Sequence, residues 1–300
     1  MISGSGMDAG QTHPSILLPE PQPLFSRRAR RLRVLAESHP GLAGYLTLLA
    51  RLAERQAELV PTTHPLRYAE QSEAHHPPGP PLSLEDESWG HSLAPLLKKL
   101  VEDLPAESPA LAGILHRLDG ATPERAHRWL AALLSGDPRS DEVAVLPFAA
   151  AALQILLAHR ASLLDVAALS RPAGPDRCPV CAGWPVASSL RTFGGASGLR
   201  YLHCSFCASE WLHPRIQCVH CGSGEKIAYY GFEGAGTAVQ AETCDACRTY
   251  LKRVDRVKTP DAEPCADDLA TLALDLLLGE QGYQRLGNNP LLPMAADLPV

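Results

Sequence analysis

The sequence predicts an α+β chain: an N-terminal all-α bundle, two tandem four-cysteine metal modules of zinc-ribbon type, and a C-terminal helix that returns to the bundle. Three observations predict it. Apolar residues recur at three- and four-residue spacing through the first half, as on helices that bury one face. Eight of the nine cysteines fall into four Cys-x-x-Cys pairs. An apolar stripe at Leu269, Leu272, Leu276 and Leu277 then follows the cysteines, and small metal modules offer it little surface.

Residues 1–20 carry Gly, Ser and two prolines, with a third at Pro21, and read as a loose tail. The helical domain is expected over 21–170. Leu24, Phe25, Ala29, Leu32 and Leu35 make one stripe among Arg27, Arg28, Arg31 and Arg33, whose face reads as solvated. Leu42 to Val60 continues the pattern and stops at Pro61. His75-His76-Pro77-Pro78-Gly79-Pro80-Pro81 cannot propagate a helix, because proline lacks the amide and pushes its predecessor out of αR. It reads as a surface loop with solvated histidines. Leu93, Leu96, Leu97, Leu100 and Leu104 resume the helical period. Ser108-Pro109 and Thr122-Pro123 are helix starts, with an N-cap hydroxyl and proline at the first helical position. A long segment from Asp141 to about Ala168, apolar nearly all round, reads as a central buried helix. Arg171-Pro172-Ala173-Gly174-Pro175 marks the boundary.

The pairs are Cys178/Cys181, Cys204/Cys207, Cys218/Cys221 and Cys244/Cys247. Shifting the first four cysteines forward by forty residues superposes them on the last four. A two-residue gap lets both sulfurs of a pair converge on one metal, and a second pair completes a tetrahedral site. The equal spacing predicts one site from Cys178, Cys181, Cys204 and Cys207 in a module over 176–216. It predicts another from Cys218, Cys221, Cys244 and Cys247 in a module over 217–258. Turns at Gly194–Gly198 and Gly231–Gly236, flanked by β-prone runs, make each unit knuckle, strand, turn, strand, knuckle. Four thiolates leave no position for water or substrate, which argues against hydrolytic chemistry, and tetrahedral sulfur suits zinc or iron. The last helix is expected over 262–284, docked on the bundle.

The 300-residue chain is 45% hydrophobic and carries a formal charge of −6, a mild argument against a general nucleic-acid binder. Residues 1–24 lack the apolar run of a signal peptide, no stretch matches the roughly 20 apolar residues of a membrane span, and metal-type cysteine spacing favours a reducing compartment. The expected location is the cytoplasm. Between Asp176 and Lys258, ten Lys/Arg face seven Asp/Glu. Arg248, Lys252, Arg253, Arg256 and Lys258 are the only basic cluster there and read as a solvated strand edge. A nucleic-acid-binding zinc ribbon on those residues is the second reading, and a thiol oxidoreductase using an exposed pair is the third. Cys265, unpaired before the last helix, is read as structural. His203, His213 and His220 lie beside knuckles without being needed as ligands. No Walker loop, Gly-x-Ser-x-Gly elbow or His-Glu-x-x-His is present. Trp211 and Arg215, between the units, are the candidate partner surface, since Trp and Arg are enriched at interface hot spots.

Arg177-Cys178-Pro179-Val180-Cys181-Ala182-Gly183-Trp184-Pro185, then Arg200 to Cys207, Glu210-Trp211, Arg215 and Cys218-Val219-His220-Cys221-Gly222, resemble the formate dehydrogenase accessory protein family, FdhE. Asp267-Asp268-Leu269-Ala270-Thr271-Leu272-Ala273-Leu274-Asp275 belongs to the same likeness, which covers about Asp176 to Asn289. The resemblance implies rubredoxin-like modules with the eight cysteines as ligands and iron favoured over zinc. It also implies a cytoplasmic, non-enzymatic maturation factor that binds the catalytic subunit of a formate dehydrogenase. The knuckles depart from the rubredoxin pattern, because only Cys221 is followed by glycine. That departure questions the amides expected to shield the sulfurs.

Overall fold

Apolar periodicity becomes six helices among the described residues of the first half: α1 (Pro21–Ser38), α2 (Ala43–Leu59), α3 (Trp89–Val101), α4 (Pro109–Asp119), α5 (Pro123–Ser135) and α6 (Leu146–Ser162). The computed structural model describes residues 13–60, 79–82, 84, 89–169, 174–232 and 238–292. The first twelve residues, the His75-His76 loop, Arg171–Ala173 at the expected boundary, and part of the Gly231–Gly236 turn lie outside them. Ser108 and Thr122 cap α4 and α5 as their positions before proline require, each accepting from the amide three residues on. Every residue of α6 from Leu146 to Ala158 is buried, so this helix has neighbours on all sides. It is shorter than the expected 141–168, with single 3₁₀ turns at Val143–Val145 and Val166–Ala168 replacing its ends. The segment Val143–Ser162 is long and apolar enough to cross a membrane by length and composition, but it is buried as the core of the bundle.

The second half supplies seven strands of one eight-stranded sheet. The first unit supplies β2 (Pro185–Phe193), β3 (Ala196–Cys204) and β4 (Glu210–Leu212); the second supplies β5 (Ile227–Tyr230), β6 (Val239–Cys244) and β7 (Thr249–Asp255). Each unit is an antiparallel hairpin between knuckles plus a strand after the second knuckle. The units join through a parallel pairing of β2 with β7, with Ser188 opposite Arg253 and Leu190 opposite Asp255. The outer edge of the first unit is covered by β1 (Ile16–Leu17), where Ile16 pairs with Trp211. Tyr201 also donates to the carbonyl of Pro14. The described part of the expected loose tail is therefore a sheet strand, fixed by a strand edge that the local sequence does not reveal.

The C-terminal helix is two helices, α7 (Pro264–Leu269) and α8 (Leu272–Glu280), followed by β8 (Gln284–Arg285) against β7. The Thr271 hydroxyl donates to the carbonyls of Asp267 and Asp268, and Lys252 Nζ donates to those of Asp268 and Thr271. These donors satisfy carbonyls at the break in place of continued helical amides. The two halves then serve different cores. Helix α7 packs on α1 and β2, with Ala266 and Leu269 in the bundle's core. Helix α8 puts Leu274 and Leu278 against Ala241 and Tyr250 of the second unit, with Tyr283 from the segment after α8. Of the expected stripe only Leu269 is buried, while Leu276 is 69% and Leu277 44% exposed. Return to the bundle holds for α7 and not for α8.

The arginines of α1 are also not simply solvated. Arg28 is 1% exposed and bridges Gln154 Oε1 at 3.1 Å and Glu263 Oε1 at 3.0 Å. Arg31 forms a bidentate pair with Asp267. Only Arg33, paired with Glu54, keeps the expected exposed setting among these pairs. Gln154 in turn donates to the carbonyl of Ser205, inside the second knuckle of the first unit, at 2.8 Å. A polar chain thus runs from α7 through the bundle to the cysteines.

Candidate metal centres

Each knuckle is a tight turn in which the residue after the second cysteine takes a left-handed conformation: Ala182 (φ 60), Ala208 (φ 59), Gly222 (φ 74) and Arg248 (φ 59). That geometry folds the chain back on the first cysteine. The amides of Ala182, Gly222 and Arg248 donate to the carbonyls of Cys178, Cys218 and Cys244 at 2.8–3.0 Å. A non-glycine residue there costs about 1–2 kcal/mol, so three of the four knuckles hold strain that their surroundings must outweigh. The absence of glycine does not remove the amides near sulfur. Val180 N lies 3.4 Å from Cys178 Sγ and Phe206 N lies 3.5 Å from Cys204 Sγ.

The sulfurs converge within units and not between them. Cys178, Cys181, Cys204 and Cys207 place their Sγ atoms within 4.8 Å of one another, and so do Cys218, Cys221, Cys244 and Cys247. Closest contacts are 3.5 Å (Cys178–Cys207) and 3.4 Å (Cys181–Cys204) in the first cluster. They are 3.6 Å (Cys218–Cys247) and 3.7 Å (Cys221–Cys244) in the second. An ion about 2.3 Å from four sulfurs at tetrahedral corners would separate them by about 3.8 Å. Both clusters can hold a metal ion. None of the nine cysteines is in a disulfide.

Their settings differ. All four cysteines of the first cluster are buried and continuous with the helical core, beside Val180, Leu202, Phe206 and Trp211. In the second cluster Cys221 is exposed and Cys247 is partly exposed. Burial pushes the Cys178 and Cys181 thiols well above their ordinary range. Cys207 is buried too, but hydrogen bonds from the neighbouring thiols and Ser209 outweigh burial and hold it well below. In the second cluster burial is likewise outweighed at Cys247, where the Thr249 hydroxyl and amide bring the thiol to about 7. Ser209 and Thr249 are related by the same forty-residue shift. A bound divalent ion would deprotonate all four thiols of a cluster.

The remaining candidates are placed as follows. Trp211 is 4% exposed, its Nε1 donating to the Pro175 carbonyl, so it packs the junction and presents no surface. Arg215 is exposed beside Gly198. The basic cluster is not an open strand edge. Lys252 is buried against Asp268 and Asp275 at 3.1 and 2.6 Å, and Arg256 pairs with Glu210 at 3.4 Å. Arg253 lies over the Tyr229 ring while donating to Gln240. Arg248 reaches the Gln281 carbonyl and stacks on Tyr283 while staying half exposed, and Lys258 is the most exposed of the five. His220 is half exposed near Asp176. His213 is buried beside Arg200, and burial together with that charge lowers it to about 4.

Models of the FdhE family match the chain almost end to end: FdhE, N-terminal, over residues 13–173; FdhE, central domain, over 177–215; and FdhE, C-terminal domain, over 216–292. The chain belongs to the FdhE family. It is 37% identical over 300 residues to a protein FdhE homolog of Stutzerimonas stutzeri (strain A1501), covering 97% of this chain and 98% of the relative. It is 38% identical over 288 residues to protein FdhE of Escherichia coli O139:H28, covering 93% and 91%. The crystal structure of the FdhE protein from Pseudomonas aeruginosa superposes with a TM-score of 0.81 at 35% identity, covering 93% of this chain and 99% of that one. The likeness noticed at the knuckles thus extends through the helical half, where spacing carried no family signal.

Two features of the FdhE-family centres escaped sequence reasoning. One is the hydroxyl two residues after the last cysteine of each unit, Ser209 and Thr249, 3.3 Å and 3.1 Å from Cys207 and Cys247 Sγ. The repeat could have exposed it, since both positions carry a small hydroxyl residue. The other is the Arg200–Glu242 pair at 2.7 Å, which ties β3 of one unit to β6 of the next. Arg200 Nη1 also donates to the carbonyls of Pro214 and Gln217 in the linker. No local pattern announces that contact, because its partners lie in different units.

Proposed function

We propose that this protein is a cytoplasmic, non-enzymatic accessory factor for the maturation of a formate dehydrogenase, binding the catalytic subunit through its metal-containing half. The observation that carries this reading is the pair of closed four-cysteine clusters in an FdhE-family chain. Four protein sulfurs fill a tetrahedral ion's coordination and leave no position for substrate. The clusters therefore serve to build and hold a surface, or to exchange electrons, without bond-making at the metal. Iron is the favoured occupant on the family resemblance, with zinc the alternative that the same sulfur geometry admits.

Recognition is assigned to the exposed junction at Arg215, with Trp211 as its buried anchor. Burial of Lys252 and pairing of Arg256 leave too little free positive charge for the nucleic-acid reading, whose proteins normally present a basic face. The deciding experiment is capture of a formate dehydrogenase catalytic subunit from anaerobic extract by the full chain. Capture should survive moderate salt and fall when Cys221 or Cys181 is changed to Ser. Arg215→Ala should weaken it while leaving metal content unchanged. Retention of nucleic acid in place of the subunit, falling steeply as salt rises, would overturn the reading. Unchanged capture by a fully metallated Arg215→Ala variant would remove the junction from the surface.

A further inference from the structure

One cysteine is left over from the two clusters, and it is not alone. Cys265 sits in the first turn of α7, buried, with its sulfur within 4.8 Å of donor atoms of His203 and Glu263. All three side chains are buried. His203 comes from β3, next to ligand residue Cys204, while Glu263 and Cys265 come from the segment that docks α7 on the bundle. We propose that His203, Glu263 and Cys265 form a third site for a divalent transition-metal ion, separate from the two four-cysteine clusters.

The histidine is the independent observation. Its ring is 1% exposed, yet Nε2 has no hydrogen-bond partner among the described residues. A buried polar nitrogen without a partner is destabilising, because it has given up its hydrogen bond to water. Its other nitrogen, Nδ1, lies 3.3 Å from Glu210 Oε1, and that carboxylate is fixed by Arg191 at 2.6 Å and Arg256 at 3.4 Å. A carboxylate holding the far nitrogen of an imidazole is the arrangement that orients metal-bound histidines and raises their basicity. It leaves Nε2 as the free donor. Asn289 Nδ2 donates to the Cys265 carbonyl at 2.9 Å and fixes the backbone that carries the thiol. Glu263 accepts from Arg28 at one oxygen and from the Ala266 amide at the other. A carboxylate has about four lone-pair sites, so an oxygen remains able to bind an ion.

Arg28 opposes a second cation here, and nearby anions offset it. When the first cluster holds a divalent ion it keeps a formal charge of about −2, and its ligand Cys204 adjoins His203 in the chain. Glu210 and Glu263 add negative charge, and metal binding converts the Cys265 thiol to thiolate, releasing its proton to solvent. Thiolate, imidazole and carboxylate together suit zinc or ferrous iron and not a hard cation such as magnesium. Three protein donors leave one tetrahedral position unfilled by protein, unlike either four-cysteine cluster.

The test is metal stoichiometry on the full chain, loaded with cobalt(II) alone and read by elemental analysis and by absorption. The parent should take up one equivalent beyond the two tetrathiolate sites. Cys265→Ala should lose that equivalent and its single-thiolate charge-transfer absorption, with the tetrathiolate d–d bands unchanged. Those unchanged bands also report that the variant is folded. Should Cys265→Ala fail to fold, His203→Gln, which keeps a polar group opposite Glu210, provides the same readout. A parent that saturates at two equivalents overturns the proposal, and so does a folded variant that retains the third.

Discussion

The two four-cysteine units share spacing, knuckle geometry and even the hydroxyl beside the fourth sulfur, yet one is an interior feature and the other a surface one. In the first, no cysteine is more than 1% exposed, and the cluster is continuous with the core of the helical bundle. In the second, Cys221 faces solvent, and the unit's own small core is built from Ala241 and Tyr250 with Leu274 and Leu278 of α8. Equal coordination chemistry therefore sits in unequal surroundings. A metal held in the first cluster is expected to be coupled to the global stability of the chain, and one held in the second to a more local opening of its own unit.

Removing one ligand from each cluster is the strongest attempt to break that contrast. Structural metal sites of this type contribute apparent binding energies of about 10–16 kcal/mol, comparable with the whole stability of a domain. Cys181→Ser should therefore abolish the cooperative melt or the solubility of the entire chain. Cys221→Ser should leave the helical bundle folded, with loss of protection confined to β5–β7 and α8 in hydrogen exchange. Equal damage from both variants would show that the units behave as one.

Chelator challenge sharpens the comparison kinetically. Metal should leave the second cluster at least about tenfold faster than the first, equivalent to about 1.4 kcal/mol less opening energy. Following release with a colorimetric chelator should give two phases, and the fast one should be absent in Cys221→Ser. A single phase would contradict the difference in exposure.

The clamps on the two clusters should separate in the same way. Arg28 joins Glu263 and Gln154 behind the first cluster, and Lys252 joins Asp268 and Asp275 behind the second. Truncating one member of a buried ion pair costs about 3–5 kcal/mol, because the partner charge is left uncompensated. Arg28→Ala should lower global stability by that amount and speed release from the first cluster. Lys252→Ala should loosen α8 from β7 and speed release from the second. In contrast, Arg33→Ala removes an exposed pair and should cost no more than about 1 kcal/mol.

The smallest expected effect is a pH dependence at the junction. Burial, with Arg200 beside it, holds His213 near 4, below the roughly 6.5 of an unfolded histidine. Between those values the unfolded chain binds more protons, so folding is weakened as pH falls. The contribution is complete above about pH 6.5 and is lost as pH drops toward 4. Thermal melts of His213→Asn should show a shallower decline over that window, and an unchanged slope would place the dependence elsewhere.

Much of this was readable from residues alone. Caps at Ser108 and Thr122, the all-round apolar run of α6, and the assignment of cysteines to clusters follow from local rules of period, capping and ligand spacing. Other features were not readable. The arginines of α1 looked solvated because their partners Glu263 and Asp267 lie more than 200 residues away. The stripe of α7 and α8 looked continuous because the donors that divide it include Lys252 from a distant strand. Residues Ile16–Leu17 looked like tail because their partner is the edge of β4.

By itself, then, the sequence determined which sulfurs meet, since two-residue gaps and a matched repeat bring each set together through local turns. It determined that the first half is helical and, through motifs at the knuckles, which family the chain resembles. Only the tertiary structure decided that one cluster is buried and the other exposed, because exposure depends on what a unit packs against and the two units are nearly alike in their own spacing. It likewise decided that Cys265 has His203 and Glu263 for company. Those three residues come from two segments about sixty positions apart, joined only when α7 closes over the bundle and β2.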